Sequence, residues 1–137
     1  MEVSTVVRST LLACTVAVLP IVAALAATPA ELLAGYSAKA GEPPSPERGR
    51  KLFTTNFGKE MGWSCSTCHG AVPTQIGRDE LTGKPIQPMA PAFNPTRFSD
   101  KGKVENAFRL NCKDVVGREC TAGEKADVIS WLMSLKP

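Results

Sequence analysis

The chain contains one histidine, His69, which directly follows a pair of cysteines in Cys65-Ser66-Thr67-Cys68-His69. At the C-x-x-C-H spacing two thiols reach the two vinyl groups of one porphyrin while the adjoining imidazole lies over the ring centre. The motif therefore reads as covalent attachment of haem c. No other feature restricts the fold as strongly, because a macrocycle held in this way becomes the centre of whatever packs around it. Two other uses of paired cysteines fit less well. A thioredoxin-type C-x-x-C opens a helix after a strand, and no strand pattern precedes Cys65. A structural zinc site needs two further ligands, which could only be Cys112 and Cys120, in a compartment where such thiols oxidise.

With His69 as the proximal iron ligand, a second histidine ligand from the same chain is excluded. The distal position then falls to Met, Lys, Asn, water or nothing. Met61 lies four residues before Cys65 and belongs to the proximal side. Met133 falls on the apolar stripe of the last helix, where methionine usually serves as packing. Met89, in Pro88-Met89-Ala90-Pro91, is the methionine best placed to coordinate.

The N-terminus reads as a leader. One basic residue, Arg8, precedes an apolar run from Leu11 to Leu25 that ends in the small-x-small triplet Ala24-Leu25-Ala26. This pattern predicts a signal peptide over residues 1–26, cleaved after Ala26 or Ala27, and export to the periplasm. A run of about 15 apolar residues falls short of the ~20 that span a bilayer. Leu11-Leu12-Ala13-Cys14 resembles a lipoprotein processing box, but most of the apolar run follows the cysteine instead of preceding it. Residues 27–137 are then one small domain. In the whole chain 16 Lys+Arg stand against 13 Asp+Glu, and 43% of residues are hydrophobic, enough to form a packed core.

Helix signals recur along that domain. Thr28-Pro29-Ala30-Glu31 forms a capping box ahead of Leu32, Leu33 and Tyr36. Ser45-Pro46 caps a second helix through Arg50, with Leu52 and Phe53 as its apolar residues. From Phe57 to Pro95 glycine and proline recur without periodicity, which predicts a long loop around the porphyrin. Ser99-Asp100 caps a third helix in which Val104, Ala107, Phe108 and Asn111 share a face. Thr121-Ala122-Gly123-Glu124 opens a fourth, with Val128, Ile129, Leu132, Met133 and Leu135 as its stripe. The expected fold is all-α, with about four helices and no strand. Cys112 and Cys120 remain, and in an exported chain the default for such a pair is a disulfide, contributing about 2.5 kcal/mol by the loop-entropy model.

The sequence resembles class I cytochrome c, and more narrowly the sphaeroides haem protein family. The resemblance rests on Pro46-Glu47-Arg48-Gly49-Arg50-Lys51-Leu52-Phe53, Cys65 to Gly70, Thr82 to Ile86, Pro95 to Asp100, Asn111-Cys112 and Val116 to Asp127. It implies a small class I cytochrome c fold, an asparagine distal ligand at Asn111, and a disulfide between Cys112 and Cys120. It also implies an electron carrier that binds a diatomic gas (O2, NO or CO) and is partnered by a dihaem cytochrome c and a membrane cytochrome b. In class I cytochromes the distal-ligand loop lies shortly before the C-terminal helix. Asn111 stands ten residues before Thr121 and Met89 thirty-two, which favours Asn111. The competing expectation is a low-spin His69/Met89 electron shuttle that binds no gas. An enzyme such as a peroxidase needs a distal acid-base group, and no second histidine supplies one. Lys101, Lys103, Arg109, Lys113 and Arg118 cluster near the distal edge, either as a steering patch for an acidic redox partner or as a solvated helix face. No basic-aromatic pattern points to nucleic acid.

Overall fold

The computed structural model describes residues 1, 26–59 and 61–137, so the leader predicted over residues 1–26 lies almost wholly outside the described residues. The elements are α1 (Pro29–Ala40), α2 (Pro46–Thr54), α3 (Cys65–His69), β1 (Gly77–Arg78), β2 (Pro85–Ile86), α4 (Lys101–Val115) and α5 (Ala122–Ser134). Among the described residues no helix is long and apolar enough to cross a membrane.

Local chemistry sets the helix starts. The Thr28 hydroxyl accepts from the Glu31 N–H at 3.2 Å while the Glu31 carboxylate accepts from the Thr28 N–H at 2.8 Å. Thr121 and Glu124 repeat this box at the head of α5, with 3.2 and 2.8 Å bonds. Ser45 caps α2 at 3.2 Å and Asp100 caps α4 at 3.0 Å. Each of these bonds satisfies a backbone donor that the first helical turn leaves open.

Helices α1 and α2 both lie against α5. Their shared core holds Leu32, Tyr36, Phe53, Ile129, Trp131 and Leu132. The α2–α5 crossing is close enough that a Cβ on Gly49 would overlap the Asp127 carbonyl. Asp127 itself is buried on α5 and accepts from the Ser45 N–H at 2.6 Å, from Arg48 Nε at 2.7 Å and from Arg48 Nη2 at 2.8 Å. Three donors offset the cost of removing that carboxylate from water, so the start of α2 is fixed in place on α5.

The fold is of the expected all-α class, with two details beyond the expectation. Among the described residues the haem-motif residues add a five-residue helix, α3, to the four that were expected. A two-residue antiparallel ladder, β1–β2, also appears where no strand was expected. It is closed by Asp79, whose Oδ1 accepts from the Leu81 N–H at 3.1 Å, the Thr82 N–H at 2.7 Å and the Thr82 hydroxyl at 2.8 Å. Turn chemistry makes this ladder, and turn chemistry leaves no period-2 signal.

Helix α4 is attached differently, through side chains at its ends and middle. Lys125 Nζ pairs with Glu105 at 2.8 Å, the Phe108 ring meets Tyr36 edge-on at 6.1 Å, and Cys112 is joined to Cys120 with a Cα separation of 5.7 Å. Between α4 and the rest of the chain lies a cavity.

Candidate haem site

The cavity measures about 520 Å³, within the range of small-molecule and cofactor sites. One wall is α3, which contributes Cys65, Cys68 and His69. Ser64 precedes this helix and is buried in a hydroxyl cluster, its Oγ lying 2.7 Å from Ser66 Oγ and 3.2 Å from Thr67 Oγ1. Gly77 supports α3 from behind, since a Cβ there would overlap the Cys68 carbonyl. His69 lies 6.0 Å from the Phe53 ring, which in turn sits 5.0 Å from Trp131. The attachment motif is thus buttressed by the α2–α5 core.

The opposite wall is α4. Val104, Ala107, Phe108, Asn111, Cys112 and Val115 recur at spacings of three and four residues and all line the cavity. Met89 also lines it, from the loop before α4. Its backbone N–H donates to the Pro73 carbonyl at 3.0 Å, and its side chain packs against the main core. Met61 is exposed and Met133 is partly buried against the core. The structure therefore brings Cys65, Cys68, His69, Asn111 and Met89 to one cavity and leaves Met61 and Met133 outside it.

The donor set suits haem c. The Cys65 and Cys68 thiols are unpaired, while Cys112 and Cys120 are consumed by their disulfide and so are lost to any zinc site. Burial pushes the Cys65 thiol up to about 11. Burial, assisted by the charge of Arg97, pushes His69 down to about 4, so its imidazole is neutral at physiological pH with a lone pair to give to a metal. Among the described residues no group of three or more His, Cys, Asp or Glu side chains forms a competing metal site.

The sequence profile of a domain of unknown function, DUF1924, matches residues 39–132. The cytochrome c-type protein SHP of Cereibacter sphaeroides is 51% identical over 107 residues, covering 77% of this chain and 82% of that protein. The chain belongs to the SHP family of c-type cytochromes. Its fold is similar to that of oxidised SHP, described as an oxygen-binding cytochrome c, with a TM-score of 0.76 at 48% identity over 80% of this chain and 99% of that one. Cytochrome c'' of Methylophilus methylotrophus is a further relative, 39% identical over 68% of this chain and 66% of its own length. Its oxidised crystal structure matches with a TM-score of 0.74 at 33% identity, over 80% of this chain and 95% of that one. As a member of the SHP family the chain is an electron-transferring cytochrome with one covalent haem c.

The sequence reading missed three residues of this SHP-family site. Trp131 backs Phe53 and through it His69, and Asp127 anchors α2. A carboxylate between Ala126 and Val128 in an apolar stripe was the available signal, since such a group needs a buried partner. Arg97 lines the cavity, and only its place in a matching run drew notice.

Proposed function

We propose that the protein is an exported mono-haem cytochrome that passes electrons and takes a diatomic gas at a site whose distal ligand, Asn111, can be displaced. Cys65 and Cys68 take the two thioether links and His69 is the proximal ligand. Haem c held there would supply one-electron exchange and a place for a small ligand. The observation that carries the reading is the place of Asn111 on the inner stripe of α4, one turn beyond the small side chain of Ala107 and next to the bridged Cys112. Its amide oxygen is a hard, weak-field donor that suits ferric iron and holds ferrous iron poorly. The Cys112–Cys120 disulfide would hold the backbone beside Asn111 in place and leave its side chain free to move. Two relatives support this: SHP is described as oxygen-binding, and the solution structure of cytochrome c'' bears on haem-ligand detachment.

A second reading, Met89 as ligand in a low-spin electron shuttle, has in its favour that Met89 lines the same cavity. Paired variants separate the two. Asn111→Ala changes the oxidised absorption spectrum and Met89→Ala leaves it alone if Asn111 is the ligand, and the reverse pattern makes Met89 the ligand.

The redox partners we infer are a dihaem cytochrome c and a membrane cytochrome b. In the basic cluster, Lys103 pairs with Asp100 and Arg118 with Glu124, which leaves Lys101, Arg109 and Lys113 as exposed cations without an ion pair among the described residues. Reduction by an acidic partner that slows as ionic strength rises supports this patch. Cleavage after Ala26 or Ala27, read from the mass of the periplasmic protein, tests export.

A further inference from the structure

The cavity wall carries five charged side chains, and they are spread unevenly along it. Asp79 is held in the β1–β2 turn, and Asp100 and Lys103, at the head of α4, pair at 3.6 Å. Arg97 donates to the Pro88 and Gln87 carbonyls on the loop before α4. Of the five, Asp114 alone lies beyond Asn111, in the last turn of α4, and among the described residues it forms no ion pair.

Residues three apart on a helix are surface neighbours, with Cβ atoms about 5–6 Å apart, so Asp114 and Asn111 share one stretch of the cavity wall. Lys103, the cation of that wall on α4, is eight residues before Asn111, about 12 Å back along the helix axis. The backbone adds to the same sign: helix α4 ends at Val115, so Asn111 and Asp114 both lie at the negative end of its dipole. The cations near that end stand in water. Lys113 and Lys59 are exposed, neither lines the cavity, and Lys59 lies over the turn at Gly117. The wall opposite His69 thus sets one unpaired carboxylate and a helix C-terminus among the apolar side chains of Ala107, Phe108 and Val115.

We infer that Asp114 is a specificity-determining residue of the distal site, selecting neutral diatomic ligands against small anions. A neutral ligand such as nitric oxide meets this wall at no Coulomb cost, whereas an anion such as azide is repelled by both the carboxylate and the helix end. Asp114 is exposed, so the repulsion is modest and screened by salt. The inference rests on the reading that an external ligand binds on the α4 side of the cavity.

The test titrates the oxidised holoprotein at neutral pH with azide, an anion, and with nitric oxide, which is neutral, and follows the absorption spectrum. Asp114→Asn removes the charge and keeps the shape. It is expected to tighten azide binding about three- to tenfold at low ionic strength and to leave nitric oxide binding within about twofold. Asp114→Lys is expected to tighten azide further, and the differences among the three proteins shrink as salt rises. Unchanged azide affinity in Asp114→Asn overturns the inference. So does an equal change for azide and nitric oxide, which is the mark of a residue that shapes the cavity without selecting by charge. A parent that binds neither ligand contradicts the displaceable Asn111 and moves the comparison to Met89→Ala, where the competing ligand is gone. There, tighter azide binding on adding Asp114→Asn, with nitric oxide unmoved, supports the role of Asp114, and no change in azide binding overturns it.

Discussion

Helix α5 buries seven of its thirteen residues, whereas α4 buries three of fifteen, and the two helices are held by different forces as a result. The first is fixed by apolar packing against α1 and α2, with Gly49 and the Asp127–Arg48 pair setting the approach. The second turns much of its apolar stripe to the cofactor cavity, and among the described residues it is held at separate points: Val104 in the main core, the Glu105–Lys125 pair, Phe108 against Tyr36 and the Cys112 disulfide. The half that carries the attachment motif is therefore rigid by construction, and the half that carries Asn111 is a wall pinned at separate points. Such a division suits a site in which one ligand stays and the other leaves.

The largest expected effect lies on the rigid side. Leu132 is fully buried, and Leu132→Ala is expected to cost about 3 kcal/mol in denaturant unfolding of the holoprotein. A cost below about 1 kcal/mol would remove the contrast between the two halves. Next in size is the staple: Cys112→Ser with Cys120→Ser is expected to lose about 2.5 kcal/mol and also to speed carbon monoxide binding to the reduced protein, by freeing the backbone beside Asn111. Stability lost without faster binding would show that the disulfide serves the fold alone.

A smaller effect attends Glu105. Its carboxyl lies below the ordinary value of 4.5, chiefly through the hydrogen bond from Lys125, with a further contribution from Tyr36. A depressed carboxylate contributes stability above its unfolded pKa and loses it as pH falls through the folded one. Glu105→Gln is therefore expected to destabilise by about 1 kcal/mol or less at neutral pH and to flatten the acid limb of the stability curve below about pH 4.5. An acid limb identical to that of the parent would remove this pin from the account.

Much of this was legible in the sequence because it depends on near neighbours. The boxes Thr28/Glu31 and Thr121/Glu124 announce α1 and α5, and the three-and-four spacing of Val104, Ala107, Phe108 and Asn111 announces the cavity wall. What was illegible depends on distance or brevity. Arg48 and Asp127 are separated by 79 residues, and Trp131 is buried because α5 is covered by two helices, so its buried arc is wider than a single stripe. Helix α3 is too short to show a period, and Arg97 gains meaning only beside the cavity.

The displaceable distal ligand is tested most directly by absorption spectra of the oxidised and reduced protein, before and after addition of carbon monoxide. A displaceable Asn111 predicts no methionine–iron charge-transfer band in the oxidised protein, a high-spin spectrum after reduction, and prompt conversion by carbon monoxide. A low-spin oxidised spectrum with that methionine band, unchanged in spin on reduction and unresponsive to carbon monoxide, would contradict it.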